Sequence, residues 1–214
     1  MIAIVKYNAG NIGSVTNALN RLGVENKVTD DPAELQNADK VIFPGVGEAG
    51  TAMKYLKDRG LDEVIKNLKQ PVLGICLGMQ LMCNHSEEGD TECLRIFDTD
   101  VKMFPETSGM KVPHMGWNSL NNEFRLGNNE HRNKQIQNSK LLVSLTSDSD
   151  VYYVHSYYAD VCENSIAVCD YILPFSSALQ KDNFYATQFH PEKSAGIGEQ
   201  ILENFIKIPA NAGI

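Results

Sequence analysis

The chain is short of basic residues, with 19 Lys and Arg against 27 Asp and Glu and a formal net charge of −8. Nucleic-acid sites are built from clustered Lys and Arg, so phosphate-backbone binding is excluded as a main activity. Long apolar runs are missing as well. Nothing approaches the ~20 residues that cross a bilayer, and the opening run Met1-Ile2-Ala3-Ile4-Val5 reads as a first strand, too short for a signal peptide and followed by no small-residue cleavage site. Tryptophan occurs once, at Trp117. Cysteine occurs five times, at 76, 83, 93, 162 and 169, an odd number without C-x-x-C spacing. That excludes a disulfide framework and fits a reducing, cytoplasmic compartment. The histidines, His85, His114, His131, His155 and His190, show no paired ligand spacing with cysteines or carboxylates, so no metal is expected. Neither a P-loop nor a Gly-x-Gly-x-x-Gly fingerprint appears, and no cofactor is expected.

What is present is the material of one α/β domain over 1–214: enough chain for a substantial core, with 43% hydrophobic residues. The first half alternates strands at 2–6, 25–29 and 40–43 with helices at 13–22, 32–36, 49–58 and 61–69, which argues for a mostly parallel sheet flanked by helices. A strand from Pro71 runs to Cys76, and a helix is expected from there to about Ser86. Beyond residue 90 the runs shorten. Strands at 151–155, 165–170, 174–180 and 184–189 suggest an antiparallel extension before a closing helix at 196–207. The Asn-rich stretch 118–138 reads as hairpins or an irregular excursion, and the tail 209–214 as frayed.

Three segments carry chemistry. In Gly74-Ile75-Cys76-Leu77-Gly78 a cysteine sits between two glycines after a short apolar run, the spacing of a strand-to-helix nucleophile elbow with sulfur in place of oxygen. The helix start there favours negative charge on the sulfur. In Gln188-Phe189-His190-Pro191-Glu192 an alternating run stops at a histidine with a carboxylate two residues on, which supplies a base and the group that orients it. In Phe43-Pro44-Gly45-Val46-Gly47 a buried strand ends in a turn able to aim backbone amides at a developing oxyanion, a donor worth roughly 3 kcal/mol in acyl-transfer sites. Strands of an open parallel sheet present such groups at their carboxyl ends.

Taken in this order, Pro44-Gly45-Val46-Gly47, Gly74 to Gln80 and His190-Pro191-Glu192 resemble the class I (triad) glutamine amidotransferases. The first of them, together with Lys6-Tyr7-Asn8-Ala9-Gly10-Asn11, Pro113 to Asn118 and His155-Ser156-Tyr157, narrows the resemblance to the glutaminase subunits of imidazole glycerol phosphate synthase. It spans Met1 to about Phe205. Lys6 departs from it, since that family usually has Asp before Tyr7.

The resemblance implies a flavodoxin-like amidotransferase fold and a division of labour. Cys76 attacks the glutamine carboxamide, His190 moves the proton and Glu192 orients the imidazole, while amides of Gly45, Val46, Gly47 and Leu77 receive the oxyanion. Gln80, Glu88 and the His155-Ser156-Tyr157 segment bind glutamine, with Glu88 rather than Glu87 on the α-ammonium. A (β/α)8-barrel cyclase subunit receives the ammonia in a heterodimer and activates the glutaminase, with Asn11, Trp117 and Lys193 at the interface. The Gly-Val-Gly turn permits a peptide flip that would turn catalysis on. Three alternatives stay open: a paralogue serving a surface-sugar synthase, a peptidase or γ-glutamyl hydrolase acting alone, and an inactive binding subunit.

Overall fold

The computed structural model describes residues 1–8, 11–107, 109–121 and 139–210. Most of the Asn-rich excursion and the last four residues lie outside them. The first half of the chain alternates strand and helix: β1 (Ile2–Val5), α1 (Ile12–Arg21), β2 (Asn26–Thr29), α2 (Pro32–Asn37), β3 (Lys40–Gly45), α3 (Ala49–Asp58), α4 (Leu61–Lys66), β4 (Val72–Cys76) and α5 (Leu77–Leu81). Short strands follow: β5 (His85–Ser86), β6 (Thr91–Glu92), β7 (Val101–Met103), β8 (His114–Ser119), β9 (Asp150–His155) and β10 (Tyr157–Ala159). The chain ends in β11 (Ser165–Asp170), β12 (Pro174–Lys181), β13 (Phe184–Thr187), a 3₁₀ turn (Pro191–Lys193) and α6 (Ala195–Lys207).

Seven strands form the main sheet in the order β11-β12-β13-β4-β3-β1-β2. The stretch from β13 to β2 is parallel, and β11 and β12 join it antiparallel, as the sequence leads one to expect. The inner strands β1, β3, β4 and β13 are buried on both faces because both are covered. Ile2, Ile4, Ile42, Leu73 and Ile75 face α1 and α6, packing with Val15, Leu19, Ile201 and Phe205. Their alternates Ala3, Val5, Val41, Phe43 and Val72 face the other way and pack with Leu35, Met53, Leu56, Leu61 and Ile65 of α2 to α4. Local signals set the helix starts: Asp31 and Glu48 accept from the first free amides of α2 and α3, and Pro32 opens α2.

The helix expected to run from the elbow to Ser86 stops at Leu81. Instead the carbonyls of Leu81, Met82 and Cys83 take amides from Leu94, Ile96, Phe97 and Arg95, so a crossing loop captures the end of the helix. The described residues form two smaller sheets besides, β10-β7-β5-β6 and β8-β9.

Candidate active site

Parallel pairing of β13, β4, β3 and β1 brings four carboxyl ends to one edge of the sheet. β4 delivers Cys76 there with φ 54 and ψ −110, a left-handed conformation for a side-chain-bearing residue. The flanking glycines explain how the elbow fits. A Cβ on Gly78 would lie 1.8 Å from the Phe43 carbonyl oxygen, and one on Gly74 would lie 3.0 Å from the Met79 amide nitrogen and 2.9 Å from the Met82 sulfur.

His190 follows β13, and its backbone amide is tied to the Tyr152 carbonyl of β9 at 2.9 Å. Ser194 Oγ donates to the His190 carbonyl at 2.7 Å and accepts from the Tyr152 amide at 2.9 Å, closing a clamp around the turn. His190 Nδ1 lies 2.7 Å from Glu192 Oε1, and both side chains are shielded from solvent. Asn11, itself at φ 72, donates to the same carboxylate oxygen at 2.5 Å. Asn11 therefore sits at the triad, besides being an expected interface residue. The buried Nε2 of His190 meets no hydrogen-bond geometry. Burial opposes charge on this ring, but the sulfur of Cys76 and then the Glu192 carboxylate outweigh it and raise the imidazole to about 10. The charged form of the imidazole is favoured accordingly.

A pocket of about 300 Å³ opens over Cys76, lined by Val46, Gly47, Leu77, Gln80, Glu88, Pro113, Val154 and the 155–157 segment. It gathers the residues expected to bind substrate or oxyanion except Gly45, which is not among its lining residues. Glu88 Oε2 accepts from the Ala49 amide at 2.8 Å. Its carboxyl is half-buried, and that burial moves it above the ordinary carboxylate range, with the Ala49 bond opposing and the charge of Glu48 adding. Glu87 is turned away: its Oε2 takes the exposed Met103 amide at 2.7 Å. Gln80 lines the pocket, yet its Nε2 hydrogens are occupied by the Tyr157 carbonyl at 2.9 Å and Gln188 Oε1 at 3.0 Å. Its Oε1 is what remains for a ligand.

Two features escape a reading of the sequence. Gln188 is fully buried and directs Nε2 at Cys76 Sγ, 3.8 Å away. It lies two residues before His190, and that period-2 spacing places both on one side of the chain as it leaves β13. The second is a chain of hydrogen bonds behind the pocket. His155 Nδ1 lies 2.7 Å from the Tyr157 carbonyl and must carry the hydrogen, so its Nε2 accepts from His114 Nδ1 at 3.1 Å. His114 Nε2 then accepts from Asn118 Nδ2 at 3.4 Å, whose other hydrogen goes to the Asp170 carbonyl at 3.1 Å. Both rings are neutral in this arrangement. Burial pushes His114 down to about 4 and His155, with added repulsion from His114 and His190, to about 3.

Trp117 and Met115 stand on the open face of β8, 54% and 62% exposed, with Trp117 edge-on to Tyr152. Lys193 is exposed beside the triad turn.

This elbow and the His-Glu turn bring a cysteine, an imidazole and a carboxylate to one end of the sheet. The chain belongs to the glutamine amidotransferase class-I family, whose sequence pattern matches residues 4–208. Solved structures agree in fold. A putative GMP synthase component from Thermoplasma acidophilum superposes with TM-score 0.68 at 21% identity, covering 96% of this chain and 92% of the other, and a structure described as a glutamine amidotransferase gives 0.68 at 16% identity over the whole of both chains. Within the family the chain falls with proteins named imidazole glycerol phosphate synthase subunit HisH. The one from Bacteroides thetaiotaomicron is 60% identical over 97% of this chain and 99% of its own length, and that from Pasteurella multocida is 41% identical over 96% and 97%.

Proposed function

We propose that the chain is, over its full length, the glutaminase subunit of an imidazole glycerol phosphate synthase. It hydrolyses glutamine to glutamate and ammonia and passes the ammonia to a (β/α)8-barrel cyclase subunit that makes imidazole glycerol phosphate and AICAR in histidine biosynthesis. The observation that carries this reading is the 300 Å³ pocket, which collects Cys76, Glu88 and the 155–157 segment from separate stretches of chain. Its size is at the small end for ligand pockets and suits one amino acid.

In the reaction, Cys76 Sγ adds to the side-chain carbonyl carbon of glutamine, and the oxygen that becomes negative is met by amides of the Val46, Gly47 and Leu77 backbone. His190 gives its proton to the departing nitrogen as the carbon–nitrogen bond breaks, releasing ammonia and leaving a γ-glutamyl thioester. Water then attacks the thioester, His190 takes its proton, and glutamate leaves with the thiol restored. Glu192 keeps the imidazole oriented and Glu88 meets the substrate ammonium.

Ammonia released into water would be protonated and lost, which favours a partner seated over this end of the sheet. Exposed Trp117 and Met115, with Lys193 and Asn11 near the triad turn, supply the apolar anchor and polar rim of such a contact. No helix among the described residues is long and apolar enough to cross a membrane. That none of the five cysteines forms a disulfide favours the cytoplasm. Incubation with a glutamine analogue carrying an electrophile at the side-chain carbon tests the reading: one label at Cys76, blocked by glutamine, supports it, and labelling elsewhere or none contradicts it.

A further inference from the structure

Tyr7 follows β1 and is almost wholly enclosed, its ring tilted against Phe43 with centroids 5.3 Å apart. Its hydroxyl is buried without a hydrogen-bond partner. A phenylalanine would fill the same space without hiding an unsatisfied donor, so the oxygen is a cost to the fold as it stands. Where that oxygen sits is informative. A Cβ added to Gly45 would come within 1.9 Å of Tyr7 Oη and 3.1 Å of Leu77 Cβ, so the hydroxyl rests on Gly45, where β3 gives way to the Gly45-Val46-Gly47 turn. Tyr7 packs with Ala3, Val5 and Phe43 on the α2-to-α4 side of the sheet while Cys76 packs on the α1 and α6 side, so the hydroxyl reaches the turn from the side opposite the sulfur.

In a trans peptide the N–H and C=O point in opposite directions. An amide of this turn that faces the pocket therefore sends the carbonyl of the same peptide toward the far side, where a lone O–H donor is waiting. Resting on the glutaminase reading above, we propose that Tyr7 is a positioning residue: when a peptide of the Gly45-Val46-Gly47 turn rotates its amide into the pocket, the Tyr7 hydroxyl takes up the carbonyl of that peptide as its missing partner and so holds the amide there as an oxyanion donor. Burial, reinforced by the nearby Cys76 sulfur, raises the phenol well above its usual range and keeps it a donor at any working pH.

The test is Tyr7→Phe in the full chain assembled with its cyclase subunit, measured against the unmodified complex. Turnover of glutamine should fall about tenfold with KM within twofold, while the thermal midpoint holds or rises because the hidden hydroxyl is gone. Alkylation of Cys76 by iodoacetamide, a displacement that develops no oxyanion, should keep its rate. An unchanged turnover would overturn the proposal. So would a loss of turnover accompanied by a lower midpoint or by slower alkylation, since the hydroxyl would then serve the fold or the thiol. If the unmodified complex itself hydrolyses no glutamine, the glutaminase reading fails instead.

Discussion

At the scale of single residues the site separates binding from chemistry. Glu88 is half-buried, with its carboxyl raised above the ordinary range by burial, and a substrate ammonium beside it would favour the charged form. Glu88→Gln should therefore raise KM for glutamine about tenfold or more, about 1.4 kcal/mol, with kcat little changed, as steady-state kinetics would reveal. Glu192 acts on the other side of the balance. The imidazole of His190 is raised to about 10 against its own burial, with Cys76 and Glu192 supporting the charge. Glu192→Gln removes part of that support, so the alkaline fall in glutaminase activity should move to lower pH while kcat drops. A fall at the original pH would mean that the carboxylate does not hold the proton in place.

At the scale of elements the elbow is the least tolerant feature. A methyl on Gly78 would meet the Phe43 carbonyl at 1.8 Å, a backbone atom that cannot swing aside, so Gly78→Ala should cost about 3 kcal/mol or more in a denaturant titration. This element was legible in the sequence because steric demand on both sides of Cys76 leaves only glycine. The parallel strands were legible too, since coverage on both faces writes itself as unbroken apolar runs. The end of α5 was not: it is set by amides of residues 94–97, which local pattern does not announce. Strands of two or three residues, such as β5 and β6, are too short to show a period. The link between His114 and His155 comes from the register of β8 on β9, which pairs those two positions across 41 residues. Both rings bind a proton more readily in the unfolded chain, near 6.5, than in the fold, near 4 and 3. Stability should thus fall as pH drops below about 6.5, by up to about 1.4 kcal/mol per pH unit for each ring. Urea midpoints from pH 7 to 5 check the slope, and His114→Gln should reduce it.

At the scale of the whole molecule, the carboxyl ends of four strands, the β8-β9 ribbon and the triad turn form one end of the sheet. Trp117 is just over half exposed there and lies edge-on to Tyr152. Such a ring contributes little to the isolated fold and much to a contact that buries it. Trp117→Ala should leave the thermal midpoint within a few degrees and weaken association with the cyclase subunit about thirtyfold, measured by titration calorimetry. On the proposed function, this end brings a sulfur, an imidazole and a glutamine carboxamide together. The most direct measurement is glutamate release by Cys76→Ala assembled with the proposed cyclase subunit. Loss of at least ~1,000-fold in turnover with the complex intact is the predicted result; turnover close to that of the unmodified enzyme would contradict the account.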